Sequence, residues 1–299
     1  MGNFTRKTLR TPTDFIFYLY NILIFLFILI NVRKIDNSAV LMLSHFIIVT
    51  IYYYISNLNN YQKKPGKYNN YLKIFFIISS LTFLHYESGL INLVIFPDYF
   101  DDLIRNLDLK IFGFPIYKIG ANYQNNSFLV QILHLAYMTY YFLLLMPVLL
   151  IYKNQSNSRI YFSGKAEKSM FLLLFTMFVC YCIFIIFPVA GPTEIHFKIF
   201  NDHGGFVRII NYLYKYGDSA GGAMPSSHVS VSLVVTLFSF RHLKSLAPYI
   251  LICFILLTIS TVFCSFHYGI DAVAGIVFGF GLYYLGKYFY NKLESKLQV

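Results

Sequence analysis

The feature that most constrains this chain is a series of apolar runs, each long enough to cross a lipid bilayer. A bilayer core of about 30 Å takes about 20 helical residues. Inside lipid every backbone N–H and C=O of such a run must be satisfied within it, which makes the run a helix. The runs lie near residues 14–32, 39–57, 72–95, 128–152, 169–188, 228–240, 247–266 and 270–289. They predict an all-α fold, a polytopic membrane helix bundle of about eight transmembrane helices. The sixth run is short by itself. It is adequate if its helix starts near Ala223, or if its first turn sits in a funnel. His85 and Glu87 interrupt the third. With 57% of 299 residues hydrophobic and 12% charged, a soluble one- or two-domain chain is excluded. The first run lacks a small-residue cleavage site and is long for a signal-peptide core, so it reads as a retained helix. Cys180, Cys182, Cys253 and Cys264 all lie in apolar runs without metal-ligand spacing, and indicate neither a disulfide framework nor a zinc site.

The net charge of +11 sorts by loop. Arg6, Lys7 and Arg10 precede the first run. Lys63, Lys64, Lys67 and Lys73 flank the second connection, and Lys153, Arg159, Lys165 and Lys168 the fourth. Arg241 and Lys244 fill the sixth, and Lys287, Lys292 and Lys296 lie at the C-terminus. These are most of the 24 basic residues, and all fall on one side of an eight-span topology. The positive-inside rule makes that side cytoplasmic, with both termini on it. The charge is then a topology signal, and a nucleic-acid partner drops away. Two long connections, 97–127 and 189–227, face the periplasm, the exterior or an organelle lumen. Long loops in a compact protein are commonly functional. The first, with Asp98, Asp101, Asp102, Arg105 and Asp108 before Gly113 and Pro115, reads as a short surface helix and turn.

The second leads into Gly221-Gly222-Ala223-Met224-Pro225-Ser226-Ser227-His228, followed by an apolar helix. Pro and Ser suit a helix start. The N–H groups of a first helical turn form an anion site aided by the helix dipole. A histidine there serves as acid or base beside a bound phosphate. Taken alone, the string fits equally a histidine that only caps the helix or sits at headgroup level. A second string follows: Ser260-Thr261-Val262-Phe263-Cys264-Ser265-Phe266-His267-Tyr268-Gly269-Ile270-Asp271. His267 and Asp271 are four apart and share a face if both are helical. The carboxylate can hold one ring nitrogen and leave the other as a nucleophile. The plainer alternative is a structural His–Asp pair. An ionisable group at a membrane span is a functional candidate by default. The topology brings His228, His267 and Asp271 to the same, non-cytoplasmic face.

Ala223-Met224-Pro225-Ser226-Ser227-His228 and His267-Tyr268-Gly269-Ile270-Asp271 resemble the two histidine motifs of the type 2 phosphatidic acid phosphatase (PAP2) superfamily. The resemblance is closest to its inositol phosphorylceramide synthase-like branch, with Phe187-Pro188-Val189-Ala190-Gly191-Pro192 as a weaker third piece. It implies a six-helix catalytic core over 121–290, behind an N-terminal transmembrane region with its outer loop over 1–120. It also implies transfer through a phosphohistidine. His267 would be the nucleophile, Asp271 its orienting carboxylate and His228 the acid and base, while Ser226 and Ser227 would hold phosphate oxygens. No metal or cofactor is required in that scheme. The chain departs from the wider family in two places. No K-x6-R-P pattern precedes the first motif, and Thr261 stands where the family has an arginine. Lys198 and Arg208, whose loop feeds the His228 helix, are the leading substitutes for the phosphate clamp, ahead of Lys215 and Arg105.

The function so implied is that of an integral membrane phosphatase or phosphotransferase acting on a lipid-linked phosphate. The alternatives are a transferase moving a phospho-headgroup to a lipid hydroxyl, as an inositol phosphorylceramide synthase does, and a non-catalytic lipid transporter or scaffold of the same fold. The expected partners are the lipid phosphate and the membrane, with no nucleic acid and no oligomeric state indicated. His134 with Tyr137, Tyr140 and Tyr141 reads as helix packing first and substrate lining second. His196 and His203 are loop residues without visible partners.

Overall fold

The computed structural model describes residues 11–61, 68–155, 164–201, 203–217 and 220–297. The basic residues Arg6, Lys7, Arg10, Lys63, Lys64, Lys67 and Arg159 lie outside them. The first helix, α1 (Pro12–Ile30), opens with a capping box in which Thr11 and Asp14 satisfy each other's backbone N–H, with Pro12 in its first turn. Then come α2 (Ser38–Tyr61) and α3 (Tyr68–Ile91), which tightens into a 3-10 turn over Asn92–Val94. The surface helix expected in 97–127 is α4 (Asp101–Phe112), closed by Gly113 at φ 76°. A 3-10 helix (Ile116–Tyr123) joins it to α5 (Ser127–Gln155), followed by α6 (Gly164–Ile186). The second long connection is itself largely helical, as α7 (Thr193–Phe200) and α8 (Phe206–Gly217). The chain ends with α9 (Ser227–His242), α10 (Ala247–Phe263) and α11 (Gly269–Leu297).

Among the described residues six helices, α1, α2, α3, α5, α6 and α11, are long and apolar enough to cross a membrane. The chain is thus an all-α multi-pass bundle. The expected sixth and seventh spans are present but short, with 16 residues in α9 and 17 in α10. At 1.5 Å per residue they reach only about 24–26 Å. The cause is local. The segment before α9 is extended, and pairs Gly222 with Val189 in a parallel bridge. After α10 the chain turns at once, through Ser265 at φ 57°. The shortfall therefore falls at the end of the bundle where the two histidine motifs lie.

A single hydrophobic cluster runs through α1, α2, α3, α5, α6, α9, α10 and α11, so segments 1–120 and 121–290 share a core. Within it α6 is the most deeply buried of the six long helices. Close approach of α11 to α9 depends on Gly275, where a Cβ would lie 2.8 Å from Val229 and 2.9 Å from the Ser226 carbonyl. Ser230 strengthens that contact by donating its hydroxyl to the Gly275 carbonyl at 3.0 Å. The buried core also holds a charged network away from the histidines. Asp14 accepts hydrogen bonds from Lys73 and, at 2.7 Å, from Tyr52. Glu167 of α6 accepts the Thr13 N–H at 2.8 Å and its hydroxyl at 2.6 Å.

Candidate active site

The site grows out of two turns that meet at one end of the bundle. In the first, Val189 and Ala223 pair through a 2.9 Å hydrogen bond from the Ala223 N–H to the Val189 carbonyl. This brings Gly221–Ser226 beside the end of α6. Gly221 sits at φ 105°, and a side chain there would collide with Asn92, which donates to the Ala220 carbonyl at 2.7 Å. Ser226 is the N-cap of α9, its hydroxyl accepting the Val229 N–H at 3.4 Å. His228 is therefore the second residue of that helix. In the second turn, the Thr261 carbonyl accepts the N–H of both Phe266 and His267 at 3.0 Å. Thr261, at the position of the family's arginine, is buried and caps this turn.

His267 lies in the turn before α11, and Asp271 in that helix's first turn. The expectation that the two share a helical face is thus replaced by a turn that folds the imidazole back onto the helix. His267 Nδ1 is 3.0 Å from the Ala223 carbonyl and 3.6 Å from Asp271 Oδ2. The backbone carbonyl is the nearer acceptor, so the Nδ1–H donates to it and the carboxylate stands behind. That tautomer leaves the lone pair on Nε2. Nε2 faces the Ser226 hydroxyl at 3.2 Å. Asp271 Oδ2 is held by the Tyr268 N–H at 2.9 Å, while its Oδ1 is buried without a hydrogen-bond partner among the described residues.

His228 faces His267 edge-on, with ring centroids 5.6 Å apart. Its Nε2 shares a 3.0 Å hydrogen bond with the Tyr137 hydroxyl, which in turn bonds Tyr214. Its Nδ1 is buried with no hydrogen-bond partner among the described residues. The two histidines line a narrow cleft with His85, Ala190, Thr193, Tyr214, Gly222, Ala223 and Phe266. Two larger cavities adjoin it. One, of about 440 Å³, is mostly apolar and runs between α3, α5 and α6 past Tyr137, Tyr140, Tyr141 and Met177 to Ser227 and His228. The other, of about 590 Å³, is lined by Thr193, Asn201, Arg208, Asn211, Tyr214 and Lys215.

Of the sequence-derived site residues, Ser226, His228, His267 and Asp271 come together. Ser227 is buried beside them on the apolar cavity. Arg208 is exposed on α8 and lines the wider cavity with Asn211 and Lys215, not the cleft. Lys198 is exposed on α7 and lines none of these three cavities. Its helix turns the buried His196 inward instead.

The turns are held by residues that motif reading passes over. Asp101, at the N-terminus of α4, accepts the N–H groups of Ala190 and Gly191 at 2.7 and 2.9 Å and the Tyr268 hydroxyl at 3.0 Å. It ties both turns to one carboxylate. Burial and this neighbouring carboxylate hold the Tyr268 hydroxyl in its protonated, donating form by raising its pKa. Asp108 accepts the Ile270 N–H at 2.9 Å at the start of α11, and burial raises its carboxyl above the usual range. His196 packs on Phe266 with centroids 4.2 Å apart, and bonds the Cys264 carbonyl and the Asn211 amide at 2.7 Å each. Burial lowers its pKa, which suits a neutral ring donating from Nδ1. Among the described residues no group of three or more His, Cys, Asp or Glu side chains is arranged to hold a metal ion.

A family model described as the PAP2 superfamily matches residues 104–285, which contain both histidine turns. No curated protein and no solved structure matches the chain.

Proposed function

The chain belongs to the PAP2 superfamily, and from that premise we propose that it is a membrane phosphatase or phosphotransferase acting on a lipid-linked phosphate through a phosphohistidine. The observation that carries the reading is the state of His267. Its Nδ1 is occupied by the Ala223 carbonyl at 3.0 Å, and its Nε2 points at Ser226 across a cleft from His228. An imidazole held in one tautomer presents its other nitrogen as a nucleophile. Nε2 attacks phosphorus and a P–N bond forms. The bond from phosphorus to the leaving oxygen breaks, and His228 delivers the proton which that oxygen takes up. Water or an alcohol then attacks phosphorus, its proton passes to His228, and the P–N bond breaks. Asp271, 3.6 Å behind Nδ1, stabilises the positive charge that the ring acquires in the first step. Ser226, Ser227 and the free N–H groups opening α9 hold phosphate oxygens. Arg208 acts from the wider cavity at longer range, on the headgroup rather than on the transferred phosphoryl.

The apolar cavity that reaches Ser227 and His228 supports a lipid as the phosphate's carrier. The larger adjoining cavity, whose lining includes Arg208, Asn211 and Lys215, favours a second reading of the acceptor. A hydroxyl-bearing headgroup seated there would make the chain a transferase, as in the inositol phosphorylceramide synthase-like branch. In either case the distribution of Lys and Arg along the sequence supports a site on the non-cytoplasmic face with both termini in the cytoplasm.

The test uses the purified full-length protein with phosphatidic acid, lysophosphatidic acid and prenyl diphosphates, with and without labelled alcohols. The wild type is expected to release phosphate or phosphorylate an alcohol, and to yield an acid-labile, base-stable phosphoprotein that His267→Ala lacks. Equal rates for wild type and His267→Ala on every active substrate would falsify the assignment. Label appearing in the alcohol selects the transferase reading.

A further inference from the structure

The narrow cleft has a third imidazole in its wall, from a part of the chain that the family match does not reach. We propose that His85 of α3 is a substrate-contacting residue that donates a hydrogen bond to a nonbridging oxygen of the transferred phosphoryl group, a role that rests on the phosphohistidine reading above. His85 lines the cleft together with His228 and His267, and also lines the apolar cavity, so it stands where the two spaces join. A phosphate on a lipid tail that occupied both spaces would pass this ring.

The structure holds the ring there by packing. Tyr181 and Phe184 of α6 lie 5.6 and 6.1 Å from it, centroid to centroid. Gly222 also borders the ring, where a Cβ would come within 3.1 Å of His85 Cε1 and 3.3 Å of Phe184. A side chain at Gly222 would crowd the imidazole. The rotation of α3 that points His85 inward is fixed by its neighbours. Glu87 is buried 3.0 Å from His45 of α2, and Asn92 donates to the Ala220 carbonyl just before Gly221.

The chemistry gives the ring something to do. A transferring phosphoryl group needs donors aimed at its equatorial oxygens. Among the described residues lining the cleft there is no lysine or arginine. With His267 as nucleophile and His228 as acid, His85 is the remaining cleft side chain that can carry positive charge. An imidazole donates from one nitrogen when neutral and from both when protonated.

The probe is orthovanadate, a mimic of the transferring phosphoryl group, with full-length protein in nanodiscs. His85→Phe keeps a ring against Tyr181 and Phe184 and removes the donor. His85→Gln restores an N–H. The Phe variant is expected to bind vanadate about tenfold more weakly than wild type, the loss typical of a hydrogen bond to a charged group, with most of the affinity regained in the Gln variant. Vanadate should also shield His85 of the wild type from carbethoxylation by diethyl pyrocarbonate, read by peptide mass spectrometry, whether or not the variants fold. Wild-type affinity in a folded Phe variant, or a His85 equally modified with and without vanadate while His228 and His267 are shielded, overturns the proposal. A wild type that binds no vanadate and shields none of the three histidines overturns the phosphohistidine site and His85 with it.

Discussion

Two of the buried polar clusters among the described residues, around Asp14 and around His267, differ in how completely their atoms are satisfied. Around Asp14, one carboxylate oxygen takes Lys73 and Tyr52, and the other takes the Thr11 N–H at 3.1 Å. Such a cluster locks α1, α2 and α3 together and has no valence to spare. Around His267 the inventory stays open. Asp271 Oδ1 and His228 Nδ1 are buried with no hydrogen-bond partner among the described residues. A buried polar atom without a partner costs about 1–3 kcal/mol. Two such atoms gathered at one cleft leave valences that a ligand can fill, whereas the Asp14 cluster is a joint. Burial and charge are alike in the two regions; saturation separates them.

The sharpest way to break this comparison is to cut each cluster once. His267→Ala is expected to lower turnover by a factor on the order of a thousand or more, since the nucleophile and its partners act as a unit. Its thermal midpoint should stay close to wild type. Lys73→Met should do the reverse. It strands Asp14 and should cost about 3–5 kcal/mol of stability, while each molecule that remains folded keeps its kcat. Thermal unfolding and active-site titration on the same preparations separate the two. A Lys73→Met protein that is stable but inactive would mean that the distant network belongs to the chemistry.

Next in size is His228→Gln, expected to lower kcat by about 10²–10⁴-fold, as loss of a general acid does. Substrates with a good leaving group, such as p-nitrophenyl phosphate, need less protonation and should be hurt least. A uniform loss across leaving groups would assign His228 to binding rather than to proton transfer.

The same contrast explains what the sequence discloses. Apolar runs and two short strings carry the bundle, Ser226, His228, His267 and Asp271, because length, hydropathy and local spacing are properties of contiguous residues. The deeper fit is made of backbone atoms and distant partners. The Ala223 carbonyl, not Asp271, is the nearer acceptor for His267, and a carbonyl has no letter in the sequence. Asp101 holds turns far along the chain and His85 packs beside one of them, so nothing next to them in the sequence announces it. His196 has partners that only the folding of α7 and α8 brings to it. The basic residues stand apart from the cleft for another reason. Lys198 and Arg208 are close in sequence to the right helix, yet both are exposed, and proximity along a chain does not aim a side chain.

Asp101→Ala tests that hidden scaffold. It releases two N–H groups and the Tyr268 hydroxyl, at a cost of about 1–3 kcal/mol. Both turns should loosen together, so kcat is expected to fall about tenfold, the scale on which small misplacements at a site act. Asp101→Asn, which keeps one acceptor oxygen, should recover part of the loss. Unchanged turnover in a less stable Asp101→Ala protein would reduce the residue to a structural tie.

The smallest effect belongs to Ser226→Ala, because this side chain acts in two opposing ways. Its hydroxyl donates to His267 Nε2, covering the lone pair that must attack. It also accepts the Val229 N–H as cap of α9, and is a donor for a phosphate oxygen once substrate displaces the imidazole. Alanine uncovers the nucleophile and removes a phosphate contact in the same stroke. The cap loss should cost about 1 kcal/mol of stability. Phosphoenzyme formation in a single turnover should slow only a few-fold, within the net worth of about one hydrogen bond. Ser226→Thr should restore the cap. A Ser226→Ala protein as inactive as His267→Ala would mean that the serine, rather than the imidazole beside it, carries the covalent step.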